Sequence, residues 1–248
     1  MQILLAELVK VYGSKTAFIE IRNYKTLNGC NELYYSFNFQ FLPYLNFWLD
    51  TQTGTEVWAN INSGKKRQIE KSLTAGAIVT EAANIGEVRE LYEILKELYL
   101  EKIGKPLPGL LFFEKFYTEI HQKKKGVILV VKNYNKVIGG AFCPVFNNKA
   151  IYEWYICGLD KIYRSLNIYP SVLATWGIID FAIQHKIHSV EFMGAGKAGE
   201  AYGVRDFKAR FGGTMIESGR YLRINKPLIY QAGKMGLKVL KMINKIKN

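Results

Sequence analysis

VILVVKNYNKVIGGAFCPVFNNKAIYEWYIC, residues 127–157, reads as an antiparallel meander and sets the fold class. Val127–Val131 is a buried apolar run, and Asn133-Tyr134-Asn135-Lys136 is turn chemistry. Val137–Val145 follows as a second strand broken at Gly139-Gly140. Asn147-Asn148-Lys149 makes another turn, and Ala150–Cys157 is the third strand. Upstream, helical spacing covers Glu87–Lys102 and Leu111–Gln122, the latter carrying Phe112, Phe113, Phe116 and Ile120 on its packing face. Downstream, Pro170 suits a first helical turn and opens a helix that ends near His185. Ser189–Met193 is a fourth strand and Thr214–Ile224 a last one. Toward the N-terminus, residues 3–10 read as the end of a helix, and Ala17–Arg22 and Leu33–Leu42 as strands. Trp58–Ala75 reads as a helix, and Val79 lies in a short strand. Two helices, a meander, a crossover helix and a further strand predict an α/β protein with a mixed sheet.

The 248 residues hold one large domain or a domain and a half, with ample core. No run of about 18 uncharged apolar residues occurs, so no membrane-spanning helix is expected. Met1–Val9 lacks a basic start and reaches Glu7 early, which argues against a signal peptide. Cys30, Cys143 and Cys157 are scattered outside metal-ligand spacing, as reduced cytosolic thiols would be. His185 and His188 have no acidic or thiol partners in sequence, so no metal site is expected. Thirty-four basic residues against 21 acidic ones give a formal charge of +13. That balance points to an anionic partner, whether nucleic acid, anionic lipid or a phosphorylated substrate, or to a lysine-rich composition alone.

The densest chemistry lies in Gly203-Val204-Arg205-Asp206-Phe207-Lys208-Ala209-Arg210-Phe211-Gly212-Gly213. Val204, Phe207 and Phe211 recur at i, i+3 and i+7 and predict an anchored helix face. Arg205 and Lys208 lie three apart and predict a cationic flank. Gly212-Gly213 ends the helix where positive φ or close backbone approach is needed.

This G-V-x-x-F-K-x-x-F-G-G pattern resembles the signature near the end of the FemAB-like peptidyltransferases, in the GNAT-type acyltransferase superfamily. Three further blocks agree in order. Trp58–Asn62 with Lys65–Ser72 resembles the family's W-x-x-L … K-x-R-x-x-I-x-K-A helix. Tyr99–Pro108, with Gly104, Pro106 and Pro108, resembles its Y-x-x-x-G-x-P-x-P helix exit. Tyr169–Trp176 resembles its x-P-N-x-L-L-x-W helix start, with Ser171 where Asn is usual. The resemblance runs from about residue 16 to the end of the chain and implies a GNAT-like, largely antiparallel sheet flanked by helices. It also implies two such domains in tandem: a partial one with its connecting helix in 1–74, a complete one in 75–213, then a final strand and helix in 214–248. The first is expected to be shortened, since only about 74 residues precede the second.

For function, the resemblance implies transfer of an amino acid from aminoacyl-tRNA to an amine of a lipid-linked or nucleotide-linked cell-wall precursor. Lys208 would stabilise the transition state, and Phe207 would shape the donor site. Acyl transfer to an amine requires stabilisation of an oxyanion and no protein nucleophile. Consistently, no G-x-S-x-G elbow is present. Glu153 could assist amine deprotonation, with Tyr155 on the same strand face and Trp154 on the other. Arg205, Arg210, Tyr163, Arg164 and Tyr155 are candidates for substrate contact. No cofactor is expected. A coenzyme A enzyme would show a glycine-rich turn before its central helix, whereas Asp160–Pro170 contains no glycine. An acyl-CoA-dependent N-acyltransferase of exopolysaccharide biosynthesis is therefore the alternative enzyme. A tRNA-binding or membrane-peripheral protein without turnover is the alternative outside catalysis.

Met193–Gly199 completes a G-x-G-x-x-G after a strand, but no βαβ unit follows, so a glycine loop is the better reading than a dinucleotide site. In the tail, Ala232, Met235, Val239, Met242 and Ile246 recur at 3–4 spacing, while Lys234, Lys238, Lys241 and Lys245 take another face. Such a helix suits an anionic membrane surface, the first domain or a partner. The sequence predicts a cytoplasmic protein, free or peripheral on the inner face of the membrane, and leaves its oligomeric state open.

Overall fold

Period-2 and period-3.6 patterning resolve into eleven strands and ten α-helices among the described residues, 1–22 and 29–246, of a computed structural model. In chain order these begin with α1 (Gln2–Tyr12), β1 (Phe18–Arg22), α2 (Asn31–Ser36), β2 (Gln40–Leu42), β3 (Leu45–Asp50), α3 (Gly54–Asn60) and α4 (Ser63–Thr74). Next come β4 (Ala77–Glu81), α5 (Ile85–Leu98), α6 (Leu110–Phe116), β5 (Gly126–Asn133), β6 (Lys136–Phe146), β7 (Ala150–Tyr152), β8 (Tyr155–Gly158) and α7 (Asp160–Tyr163). The chain finishes with α8 (Pro170–Gln184), β9 (Ser189–Gly194), α9 (Gly203–Ala209), β10 (Thr214–Glu217), β11 (Arg220–Ile224) and α10 (Pro227–Ile246). Helices α5 and α6 each run into a wider π turn, Tyr99–Ile103 and Tyr117–His121.

Two compact units are formed. The larger comprises 47–193 and 203–214; the smaller comprises 1–46, 194–202 and 215–248.

In the larger unit the strands lie in the order β3-β9-β7-β6-β5-β4, with β8 also paired to β6. The β4–β5, β5–β6, β6–β7 and β6–β8 pairs are antiparallel, whereas β7 and β9 are parallel. Helices cover both faces, which is why β5 is apolar and buried from Gly126 to Val131. On one face Val88, Leu91 and Leu95 of α5 and Phe113 and Phe116 of α6 pack with Ile128, Val130 and Phe142. On the other, α8 buries Leu173, Ala174, Ile178 and Ile179. The glycine pair of β6 serves both contacts. A Cβ at Gly139 would meet Pro170 of α8 at 3.1 Å, and one at Gly140 would meet Leu91 of α5 at 3.1 Å.

The smaller unit is a three-stranded antiparallel sheet, β1-β11-β2, with β11 in the centre. Its core is Leu5, Tyr34, Phe39 and Tyr221, with the Tyr34 and Tyr221 rings stacked at 3.7 Å.

Three expectations change here and one strand is added. Leu33–Leu42 is helix α2 followed by β2, because Leu33, Tyr34 and Phe37 serve one helix face before Phe39 enters the core. Trp58–Ala75 is two helices: Ile61 leaves helical φ/ψ and Asn62 caps α4 by accepting from Gly64 N. Thr214–Ile224 is two strands separated at Ser218-Gly219. Strand β3, which no expectation covered, pairs with β9.

Candidate active site

The parallel ladder between β7 and β9 is short. Ile151 pairs with Val190 and Tyr152 with Glu191, after which the strands part: β8 continues along β6 while β9 continues beside β3. Glu153 sits at the fork and Phe192 opposite, in positions where a ladder would otherwise continue. Lys208 of α9 fills the gap. Its Nζ donates to the Phe192 carbonyl and stands 3.4 Å from the Glu153 carboxylate. Both side chains are buried, Lys208 at 6% and Glu153 at 4% exposure. Burial pushes the Glu153 carboxyl above its ordinary range, and the Lys208 charge opposes that rise. Cys143, on neighbouring β6, is held well above the usual thiol range by burial and then by the Glu153 charge.

Position 208 is the inward-facing one on α9. Val204, expected to anchor the helix, is 43% exposed, and Phe207 is half-buried, while Phe211 is fully buried. A buried cation displaces an apolar anchor here because the fork offers it a carbonyl and a carboxylate. The expected cationic flank is therefore not one: Lys208 points inward, while Arg205 is half-buried. Helix α9 ends at Ala209, and Gly212, in the turn that follows, has a φ of +85° and a site where a Cβ would lie only 3.0 Å from the Asn60 carbonyl oxygen.

Phe207, next to Lys208, lines a cleft of about 530 Å³ together with Lys65, Gln68, Lys102, Asp160, Lys161, Arg164, Tyr169, Ser171 and Val172. Four cations face one carboxylate there. Lys65 lies over the Phe207 ring, 4.1 Å from its centroid, and donates to Gln68 at 3.2 Å. Burial, reinforced by the charges of Arg210 and Arg164, lowers its pKa to about 8. The single carboxylate, Asp160, is committed. It accepts from Ser171 N at 3.2 Å and from the Ser171 hydroxyl, and so caps the N-terminus of α8.

Of the residues singled out from sequence, Lys208 and Glu153 form one pair, Phe207 and Arg164 share the cleft, and Arg210 acts on it through charge. Tyr163 and Arg205 are absent from the cleft lining, as are Arg210 and the buried Lys208 and Glu153 at the fork. Tyr155 is turned elsewhere. It and Trp154 both pack against Phe112, so the expected alternation of faces fails where the chain steps from β7 to β8. Lys65, Gln68, Lys102 and Lys161 carried no predicted role; Lys65 and Gln68 lay inside the quoted Lys65–Ser72 block, where the basic start was the available signal. In the smaller unit, the 194–199 glycines form no phosphate cradle: Ala195 N donates to Leu45 O and Leu45 N to Gly196 O, extending a ladder. Among the described residues no group of three His, Cys, Asp or Glu could hold a metal. No single helix there is long and apolar enough to cross a membrane.

The family model of the acetyltransferase (GNAT) domain matches residues 62–209. The fold is similar to that of FemX, with a TM-score of 0.69 at 14% identity over 93% of this chain and 78% of that one. It is also similar to L-PGS from Bacillus licheniformis, with a TM-score of 0.63 at 16% identity over 98% and 78%. The C-terminal domain of a putative lysylphosphatidylglycerol synthetase from Agrobacterium fabrum gives 0.64 at 12% identity over 96% and 78%. No curated protein sequence matches the chain. The FemAB-like resemblance and the mixed, largely antiparallel sheet both stand.

Proposed function

Since this chain belongs to the acetyltransferase (GNAT) domain family, we propose that it is an acyltransferase that moves an amino acid from aminoacyl-tRNA to an amine of a cell-wall precursor. The observation that carries the reading is the buried Lys208–Glu153 pair at the strand fork, one residue from the Phe207 that lines a basic cleft. In the reaction the amine nitrogen bonds to the ester carbonyl carbon, and the ester C–O bond then breaks. The ribose oxygen leaves and takes up a proton, balancing the one the amine gives up. Lys208 supplies positive charge where the carbonyl oxygen becomes anionic, in a site from which burial excludes water. Glu153, with its pKa raised by burial, would receive the amine proton once the acceptor reaches the buried pair. Lys65, Lys102, Lys161 and Arg164 would hold phosphates of the donor.

Asp160 bears on the choice of donor. In a coenzyme A enzyme the N-terminus of the central helix receives pyrophosphate. Here that terminus already receives the Asp160 carboxylate, and a pyrophosphate would meet a like charge. This favours aminoacyl-tRNA over acyl-CoA. The putative lysylphosphatidylglycerol synthetase, by its name a maker of an aminoacylated lipid, is in keeping with that donor. Labelled aminoacyl-tRNA and acyl-CoA offered in parallel to the purified chain, with an amine acceptor, test the reading. Amide product from the tRNA ester alone is expected. Product from acyl-CoA alone would establish the N-acyltransferase instead, and binding of tRNA without product would establish a non-catalytic protein.

A further inference from the structure

Helix α10 is 20 residues long and contains no acidic residue. At 100° per residue, Leu228, Ala232, Met235, Val239 and Met242 fall within a stripe about 80° wide, and Lys234 and Lys238 lie about a quarter-turn to one side. The side chains of Lys241, Lys245 and Ile246 lie outside the described residues. The stripe is open. Leu228 is 87%, Met235 67%, Val239 53% and Met242 67% exposed. A Cβ placed at Gly233 or Gly236 would meet nothing within 4 Å. The first turn is anchored by the edge-on contact of Tyr230 with Phe18 at 5.3 Å. An apolar stripe flanked by lysines matches a surface that is apolar in depth and anionic at its rim.

We propose that α10 lies in the interfacial plane of an anionic phospholipid bilayer. Leu228, Met235, Val239 and Met242 enter the acyl-chain boundary, and Lys234 and Lys238 meet the headgroup phosphates. The lysine stripe favours this occupant over a second copy packed antiparallel, because a two-fold axis perpendicular to α10 would bring like charges together along the same flank. This inference stands apart from the acyl-transfer reading, which α10 does not enter.

The test is co-sedimentation of the full chain with vesicles of phosphatidylcholine alone and of phosphatidylcholine mixed with phosphatidylglycerol. Helicity and light scattering are followed for every variant. Binding is expected only to the anionic vesicles. Lys234→Gln with Lys238→Gln should weaken it roughly 30-fold, taking each lysine near the surface as worth a factor of about five. Met235→Asp with Val239→Asp should abolish it at every salt concentration, and a Met242→Trp reporter should shift to the blue on binding. Equal binding to neutral vesicles, absence of binding by the parent chain, or unchanged binding by the Asp variant would each overturn the proposal. A dimer that the Asp variant dissociates, with no vesicle binding, would assign the stripe to a second copy.

Discussion

Lys65 and Asp160 set the electrostatics of the cleft, and each carries a prediction at the scale of one side chain. With its pKa lowered to about 8, Lys65 is an ammonium below that value and a neutral amine above it. An anion in the cleft is held by the charged form, so affinity should be full below about pH 7 and fall as pH rises through about 8. Titration calorimetry with a tRNA acceptor-stem fragment checks this: the step should vanish in Lys65→Gln and disappear from the accessible range in Lys65→Arg. Asp160→Ala removes the carboxylate that caps α8, at a cost of about 1 kcal/mol in urea unfolding. The same change should raise affinity for coenzyme A, because the helix terminus then faces phosphate unblocked. A variant that unfolds at the parent midpoint would show that the cap contributes nothing. The candidate pair was partly legible: the F-K step and Glu153 stand in the sequence, but their meeting across 55 residues does not. Spacing rules see neighbours on one element, and the fork joins three.

At the scale of elements, local periodicity is a good guide where one pattern runs unbroken along the element. α5, α6, β5 and α8 all lie close to their predicted spans. It failed where tertiary context overrides the local pattern. α9 buries a lysine where its apolar spacing predicted Val204, and the aromatic stretch from Leu33 is helical because its rings serve the small core. The glycine pair of β6 was legible as an interruption, and its cause lies in the packing: helices approach the strand on both faces. Gly140→Ala should therefore cost about 1–3 kcal/mol, as overpacking does, since its Cβ would crowd the Leu129 carbonyl oxygen. Gly236→Ala is the contrasting case. It meets open space on an exposed helix, and should raise the helicity of α10 by circular dichroism without lowering the unfolding midpoint. A midpoint lowered by Gly236→Ala would mean that the stripe is packed.

At the scale of the whole molecule, two features arise from pairings far apart in sequence. β11, near the C-terminus, is the central strand of a sheet whose other members lie within the first 42 residues, and β3 joins β9 across about 140 positions. No local pattern encodes either pairing. The charge of +13, by contrast, was plain from composition. It acquires a location in the cleft and on α10, and it predicts that tRNA binding weakens steeply with added salt. Whether the buried Lys208 charge drives amide formation is read directly from the single-turnover rate of aminoacyl transfer from labelled tRNA. The comparison sets the parent chain against Lys208→Met combined with Glu153→Gln, because losing one partner alone would leave a buried charge uncompensated at about 3–5 kcal/mol. With the double variant folded, the rate should fall roughly 100- to 1,000-fold. A folded double variant that transfers within about threefold of the parent would contradict that role of Lys208.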